Sequence, residues 1–214
     1  MNPAVVLLSG GLDSAVSLAL ALKAGLRIKR ALTFDYGHKA VQQEIKASRA
    51  ISRYYKIPHL VIKLSWLGQL AAQCGLMQGR LAVLTAQDLS NKKRMRQAAR
   101  AVWVPNRNAL FINIAASLAE SLECRYIITG FNREEAQTFP DNSAGFVKAV
   151  NKMLTFSTLN KVKVISYTAG MTKPDIVRAG LRIKVPLNLA WSCYQGGAKP
   201  CGVCESCLRR ARAM

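Results

Sequence analysis

Acidic side chains are scarce: 11 Asp plus Glu stand against 31 Lys plus Arg, giving a formal net charge of +20. That imbalance attracts anions, so ATP, acidic small molecules and nucleic acids are all admissible partners, and charge alone does not choose among them. The basic residues are scattered rather than gathered in one stripe, which argues against a dedicated nucleic-acid footprint. Histidine is nearly absent, with only His38 and His59, and no motif supports a histidine-centred triad. No apolar run approaches the roughly 20 residues that cross a bilayer, so membrane insertion is not expected. The apolar opening AVVLLSGGLDSAVSLALAL has no basic residue before it and is broken by Gly10, Gly11 and Asp13, unlike a signal peptide; a cytoplasmic location is expected. Repeats and low-complexity segments are also missing.

What is present is an ordinary globular complement of apolar residues, 50% of 214, enough for the core of one domain over residues 1–214. Strand-like and helix-like segments alternate. Ala4–Leu8 reads as a strand buried on both faces, Asp13–Ala24 as a helix ending near Gly25, Arg30–Phe34 as a second strand and Lys39–Tyr55 as a helix with a basic outer face. Ile57–Leu64, Arg125–Thr129 and Lys161–Ser166 read as strands and Asn108–Leu122 as a helix. This succession predicts an α/β, Rossmann-like parallel sheet with helices on both faces, whose ligands sit beyond the carboxyl ends of the strands. Residues 85–100 are polar, include Lys92, Lys93, Arg94, Arg96 and Arg100, and read as a basic insertion or mobile loop. That stretch serves either as a lid over an anionic ligand or as a contact for RNA.

Ser9-Gly10-Gly11-Leu12-Asp13-Ser14 lies between the first strand and first helix. Its glycines allow a sharp turn with converging N–H groups, the serines add hydroxyls, and the helix dipole favours an anion there. It is neither G-x-x-x-x-G-K-[ST] nor G-x-G-x-x-G. Asp13 beside bound phosphates calls for an intervening cation such as Mg²⁺; the plainer alternative makes Asp13 only a helix N-cap. In a reducing compartment the six cysteines are not expected to form disulfides, which leaves Cys74 and Cys124 as free thiols. Cys193, Cys201, Cys204 and Cys207 have the spacing of a four-thiolate site within a tail spanning residues 191–214. Four thiolates suit one structural zinc and leave no coordination position for an activated water.

The hexapeptide Ser9–Ser14 resembles the SGGxDS loop of the N-type ATP pyrophosphatases, or PP-loop enzymes, whose fold is that of the adenine nucleotide alpha hydrolases. The resemblance implies an ATP site at Leu8, Ser9, Gly10, Gly11, Leu12, Asp13, Ser14 and Ala15, with Asp13 and Ser14 in catalytic roles. Phe34 and Tyr36, in TFDYGH, would lie beside the adenine and ribose. TFDYGH, VPNRN, GFN…FPD and WSCYQGGAKPCGVCESCLRRARA together resemble the 7-cyano-7-deazaguanine synthase family over nearly the whole chain. That family implies ATP, ammonia and 7-carboxy-7-deazaguanine as reactants, and a homodimer is the expected assembly. The candidate substrate residues are Arg107, Asn108, Asn132, Glu135 and Asp141. Arg107 can bind phosphate or carboxylate bidentately, and Asn108 either helps it or caps the following helix. Asp141 can accept two N–H donors from a guanine-like edge.

The chain departs from the family pattern at Glu135, where an Asp is expected, and at Asn142-Ser143, which replace a Cys-Arg. Lys173, in MTKPDIVRAG, either neutralises phosphate charge or caps a solvated helix, and Arg209, Arg210 and Arg212 either pair with acids or phosphates or form a solvated tail. The alternative to the ligase is a tRNA-modifying PP-loop enzyme that adenylates a base. A zinc-stabilised nucleotide-binding module without activity is the third reading.

Overall fold

The computed structural model describes residues 2–214. In chain order the elements are β1 (Pro3–Leu7), α1 (Leu12–Lys23), β2 (Arg27–Asp35), α2 (Val41–Tyr54), β3 (His59–Lys63), α3 (Ser65–Leu70), α4 (Gly75–Gln78), α5 (Lys92–Ala101) and α6 (Arg107–Ser121). They continue with β4 (Tyr126–Ile128), α7 (Arg133–Ala136), α8 (Ala144–Ser157), β5 (Lys163–Ile165), α9 (Lys173–Arg182) and α10 (Glu205–Ala213).

The five strands form one sheet in the order β3-β2-β1-β4-β5, with every pairing parallel. Side chains alternate across β1. Val5 joins a core beneath the sheet with Ile112 and Ala116 of α6 and Leu154 of α8, whereas Ala4 and Val6 join a second core with Val16 of α1, Ile51 of α2 and Ile176 of α9. Both faces are therefore covered, as the continuous apolar run of β1 requires in a parallel sheet. This is the expected fold class. The chain leaves β1 on one side, through β2 and β3, and returns to the other side through β4 and β5, so the crevice between the ends of β1 and β4 is the topological switch point.

Part of residues 85–100 is not a loop. Lys92–Ala101 is helix α5, capped by the Asn91 side chain, which accepts the N–H groups of Lys93 and Arg94. Met95, Ala98 and Ala99 are its buried residues, at the i, i+3, i+4 spacing of one helical face. Five cations obscure that stripe in the sequence because they occupy the remaining, solvent-facing positions. Acidic side chains, by contrast, are engaged internally. Glu120 accepts the backbone N–H groups of Leu159 and Asn160, Asp175 closes a capping box with Thr172, and Asp35 accepts from Gly37. Of the 11 acidic side chains only those of Glu123 and of Glu44, whose one neighbour of this kind is the His38 imidazole, take part in no hydrogen bond or pair with a Lys or Arg among the described residues.

Candidate active site

The switch point is built by two glycines. Gly10 has φ +79°, and a Cβ there would stand 2.6 Å from the Glu44 carbonyl of α2. Gly130, just past β4, would push a Cβ to 2.6 Å from the Ser14 backbone nitrogen. The start of α1 thus lies in close backbone contact with the β4 loop, while the turn before it rests on α2. Gly11, not Asp13, is the N-cap, and no side chain caps this helix, so its first-turn N–H groups are free for an anion. Ser14 Oγ donates to the Gly11 carbonyl at 3.1 Å and lies 3.2 Å from Ser9 Oγ.

Charge is concentrated behind the loop. Lys173, the first residue of α9, is buried and pairs with both Asp13 and Glu135, the latter at 3.2 Å. It does not cap a solvated helix; Thr172 holds the cap position. Asn132 caps α7 by accepting the Glu135 N–H at 2.9 Å, and its Nδ2 donates to Asp13 Oδ2 at 3.3 Å. Burial disfavours the Lys173 charge, but the two carboxylates outweigh it and raise the ammonium above its ordinary value. Burial pushes the Asp13 carboxyl up against the pull of Lys173, whereas at Glu135 the Lys173 charge overcomes burial and holds the group below the usual range. Asp13 Oδ1 is buried with no partner. One oxygen of this carboxylate is therefore fixed by the protein and the other is free for a cation.

Aromatic groups form the wall beyond β2. Phe34 stacks on Phe111 of α6 at 4.1 Å, and Tyr36 stacks on His38 at 4.1 Å. Arg107 Nη1 donates to the Tyr36 hydroxyl oxygen at 2.9 Å, and burial pushes the Tyr36 phenol up to about 12. Asn106 is the N-cap of α6, so Asn108 is not the cap; its Nδ2 donates to the Asp141 carbonyl at 3.3 Å and ties α6 to the loop before α8.

These groups enclose a cleft of about 260 Å³. Leu8, Ser9, Gly11, Leu12, Asp13, Ser14, Phe34, Tyr36, Arg107, Asn108 and Glu135 line it; Gly10, Ala15, Asn132 and Asp141 do not. Asn132 instead bonds to Asp13, and Gly10 shapes the turn before α1. Asp141 sits in a short turn beside Arg107, and its neighbour Asn142 is the residue that reaches the cleft. Glu44 and Phe111 also line the cleft, unheralded by any motif, as do Trp191 and Tyr194, which lie in the cysteine-tail motif but are given no role by it.

The four C-terminal cysteines converge as their spacing predicts. Their sulfurs all lie within 4.8 Å of one another and can hold a metal ion. Zn–S bonds of about 2.3 Å would place tetrahedral sulfurs about 3.8 Å apart, close to the arrangement present. The backbone N–H groups of Gln195 and Cys201 donate to Cys193 Sγ at 3.4 and 3.3 Å, the kind of outer support that steadies a thiolate ligand. Beyond the cluster, Arg209 pairs with Glu134 at 2.7 Å and Glu205 at 2.8 Å, and Arg212 pairs with Glu134 at 2.8 Å. Arg210 donates to the carbonyls of Ala190 and Leu187. The basic tail is thus bound into the fold. Glu134 also accepts the Lys173 backbone N–H at 2.9 Å, which brings the tail to the residue that grips Asp13.

Comparison with known proteins agrees with this geometry. The family described as queuosine biosynthesis protein QueC matches residues 3–214. A 7-cyano-7-deazaguanine synthase of Pelotomaculum thermopropionicum is 50% identical over 210 residues, covering 98% of this chain and 95% of its own. One of Carboxydothermus hydrogenoformans is 51% identical over 213 residues, covering 100% and 98%. Among solved structures, NMN synthetase from Francisella tularensis superposes with a TM-score of 0.50 at 18% identity, over 94% of this chain and 70% of that one. The U34-tRNA thiolase NcsA from Methanococcus maripaludis gives 0.50 at 16%, over 86% and 58%. At such identities the likeness is one of fold. No helix among the described residues is long and apolar enough to cross a membrane.

Proposed function

The chain belongs to the queuosine biosynthesis protein QueC family, and we propose that it is an ATP-dependent ligase converting 7-carboxy-7-deazaguanine and ammonia into 7-cyano-7-deazaguanine. The observation that carries this reading is half-identity along the full chain to relatives of that name. The switch-point cleft supplies the matching chemistry.

A carboxylate is a poor electrophile because oxide would have to leave. Adenylation replaces that leaving group with AMP; ammonia then forms the amide, and a second activation removes the amide oxygen to give the nitrile. The bare first turn of α1 and the hydroxyls of Ser9 and Ser14 bind the ATP phosphates, so that the donors are already aimed where charge builds on the departing pyrophosphate. Asp13, with its partnerless Oδ1, would hold Mg²⁺, which neutralises phosphate charge when bound. Lys173 and Asn132 fix the other oxygen of that carboxylate and keep it from turning away. Phe34, Tyr36 and Phe111 offer apolar and aromatic surface for the adenine, and Arg107 and Asn108 provide donors for the carboxylate substrate. Cys193, Cys201, Cys204 and Cys207 would hold one structural zinc that fixes the tail and takes no part in the chemistry.

Mass spectrometry of the products formed from ATP, ammonium and 7-carboxy-7-deazaguanine tests the reading. The expected products are 7-cyano-7-deazaguanine and AMP; formation of neither refutes it.

A further inference from the structure

Ammonium, not ammonia, predominates in neutral water, and it has no lone pair with which to attack. A ligase of the kind proposed above must strip one proton from it inside the cleft. We propose that His38 and Glu44 form an ammonium site there, with Glu44 binding the cation and the His38 imidazole accepting its proton. This inference rests on the ligase reading.

Three observations converge on the pair. Both residues line the cleft that also contains Asp13, Ser14 and Arg107. His38 is only 3% exposed, yet its Nδ1 has no hydrogen-bond partner, while Nε2 faces Glu44 Oε2 at 3.0 Å, a contact that becomes an ion pair once the ring carries a proton. A buried, unsatisfied imidazole is costly unless something else bonds to it in the working state. Lastly, the ring is held in place. It stacks on Tyr36, which Arg107 of α6 fixes from the far side, while Glu44 rises from α2 beside it. These three groups are the charged or titratable neighbours identified around the ring. Glu44 alone contributes negative charge; the Tyr36 ring is taken up by His38 and by the Arg107 guanidinium over it, so it supports the imidazole rather than the cation.

The proton balance is simple. Ammonium gives one proton to a free nitrogen of His38, leaving ammonia beside an imidazolium that faces the Glu44 carboxylate. The nitrogen lone pair then forms the C–N bond as the C–O bond to AMP breaks, and that electron pair leaves on the AMP oxygen. A second proton departs from the new amide nitrogen to the AMP phosphate or to water. Imidazole suits the first transfer because a neutral ring always keeps one nitrogen lone pair able to accept a proton.

Two nucleophiles separate this role from simple support of the cleft. Hydroxylamine is largely uncharged at neutral pH and needs no base to free its lone pair. In His38→Asn, AMP release driven by ammonium should fall about 100-fold at pH 7, while hydroxylamine-driven release stays within about threefold of wild type. Exchange of labelled pyrophosphate into ATP, dependent on 7-carboxy-7-deazaguanine, should persist and shows that the variant is folded and still adenylates. Glu44→Gln should raise the KM for ammonium about tenfold with little change in the KM for ATP. Equal losses with both nucleophiles, or full ammonium activity in both variants, would overturn the proposal. Absence of the exchange reaction in the wild type would instead overturn the ligase reading, and this inference with it.

Discussion

The phosphate loop and the cysteine tail are positioned in opposite ways. The loop stands on the sheet: Leu8 and Leu12 are buried in the same core as β1, and Gly10 and Gly130 bring backbone against backbone. Its shape is therefore complete before any ligand arrives. The tail has a core of only three cysteines, with Leu81, Trp191, Tyr194 and Cys201 packed against it, and its other ties are mainly ion pairs and hydrogen bonds. So small a cluster offsets little of the entropy of ordering some twenty residues at about 1–2 kcal/mol each, and a metal ion held by the four cysteines would supply the difference. Preorganisation comes from the chain in one region and would come from a bound metal in the other.

The sharpest way to break the comparison is to remove the metal. Cys204→Ala, or chelation of the wild type, should abolish stoichiometric zinc and melt residues 191–214 while the sheet persists, since structural zinc contributes about 10–16 kcal/mol in small metal-folded peptides. Hydrogen exchange along the chain measures this, and protection of the tail equal to that of β1 in the metal-free protein would contradict it. Next in size, Arg209→Met leaves Glu134 and Glu205 without their shared partner and should cost about 3–5 kcal/mol by denaturant titration, the usual penalty for breaking a buried pair.

On the loop side effects should appear in catalysis before stability. Asp13→Asn keeps the hydrogen-bonding shape but removes the charge, and turnover should fall about 100- to 1,000-fold, or roughly 3–4 kcal/mol, with the fold intact by circular dichroism. Gly130→Ala forces a methyl toward the Ser14 nitrogen and should cost about 1–3 kcal/mol of stability along with most ATP affinity, as isothermal titration would show. The smallest change is expected of Ser14→Ala, which removes one neutral hydrogen bond worth about 0.5–1.5 kcal/mol and should lower ATP affinity about 2- to 13-fold.

The same contrast explains what the sequence revealed. Local chemistry was legible: Gly-Gly before an apolar helix, cysteines at ligand spacing, and β1 as a run without polar breaks. Contacts made across the chain were not. Lys173 reaches Asp13 from 160 positions away, and nothing near Lys173 distinguishes a buried ammonium from a surface one. Helix α8 carries no expectation in the sequence reading because only Val150 and Leu154 of its residues are buried, while Met153 and Phe156 are exposed, so its apolar stripe is blurred. Asn108 is a good cap by type, but the helix already begins at Arg107, so the cap position falls to Asn106, whose side chain makes no capping hydrogen bond. Asp141, the natural choice for ring recognition, is turned beside Arg107, which leaves Asn142 at the cleft.

The internal engagement of the acids sets rules for anyone redesigning this protein. With nine carboxylates serving as fasteners and only Glu44 and Glu123 outside that role, the outer surface is left cationic, consistent with an isoelectric point near 10.2. Deleting an acid would loosen a joint and deepen the charge excess together. The tolerant route to a more neutral variant is to replace exposed lysines and arginines such as Lys92, Lys93 and Arg96 with glutamate or glutamine, sites where no internal bond is at stake. Until that is done, polyanionic contaminants and low-salt buffers will govern how the protein behaves on columns and in binding assays.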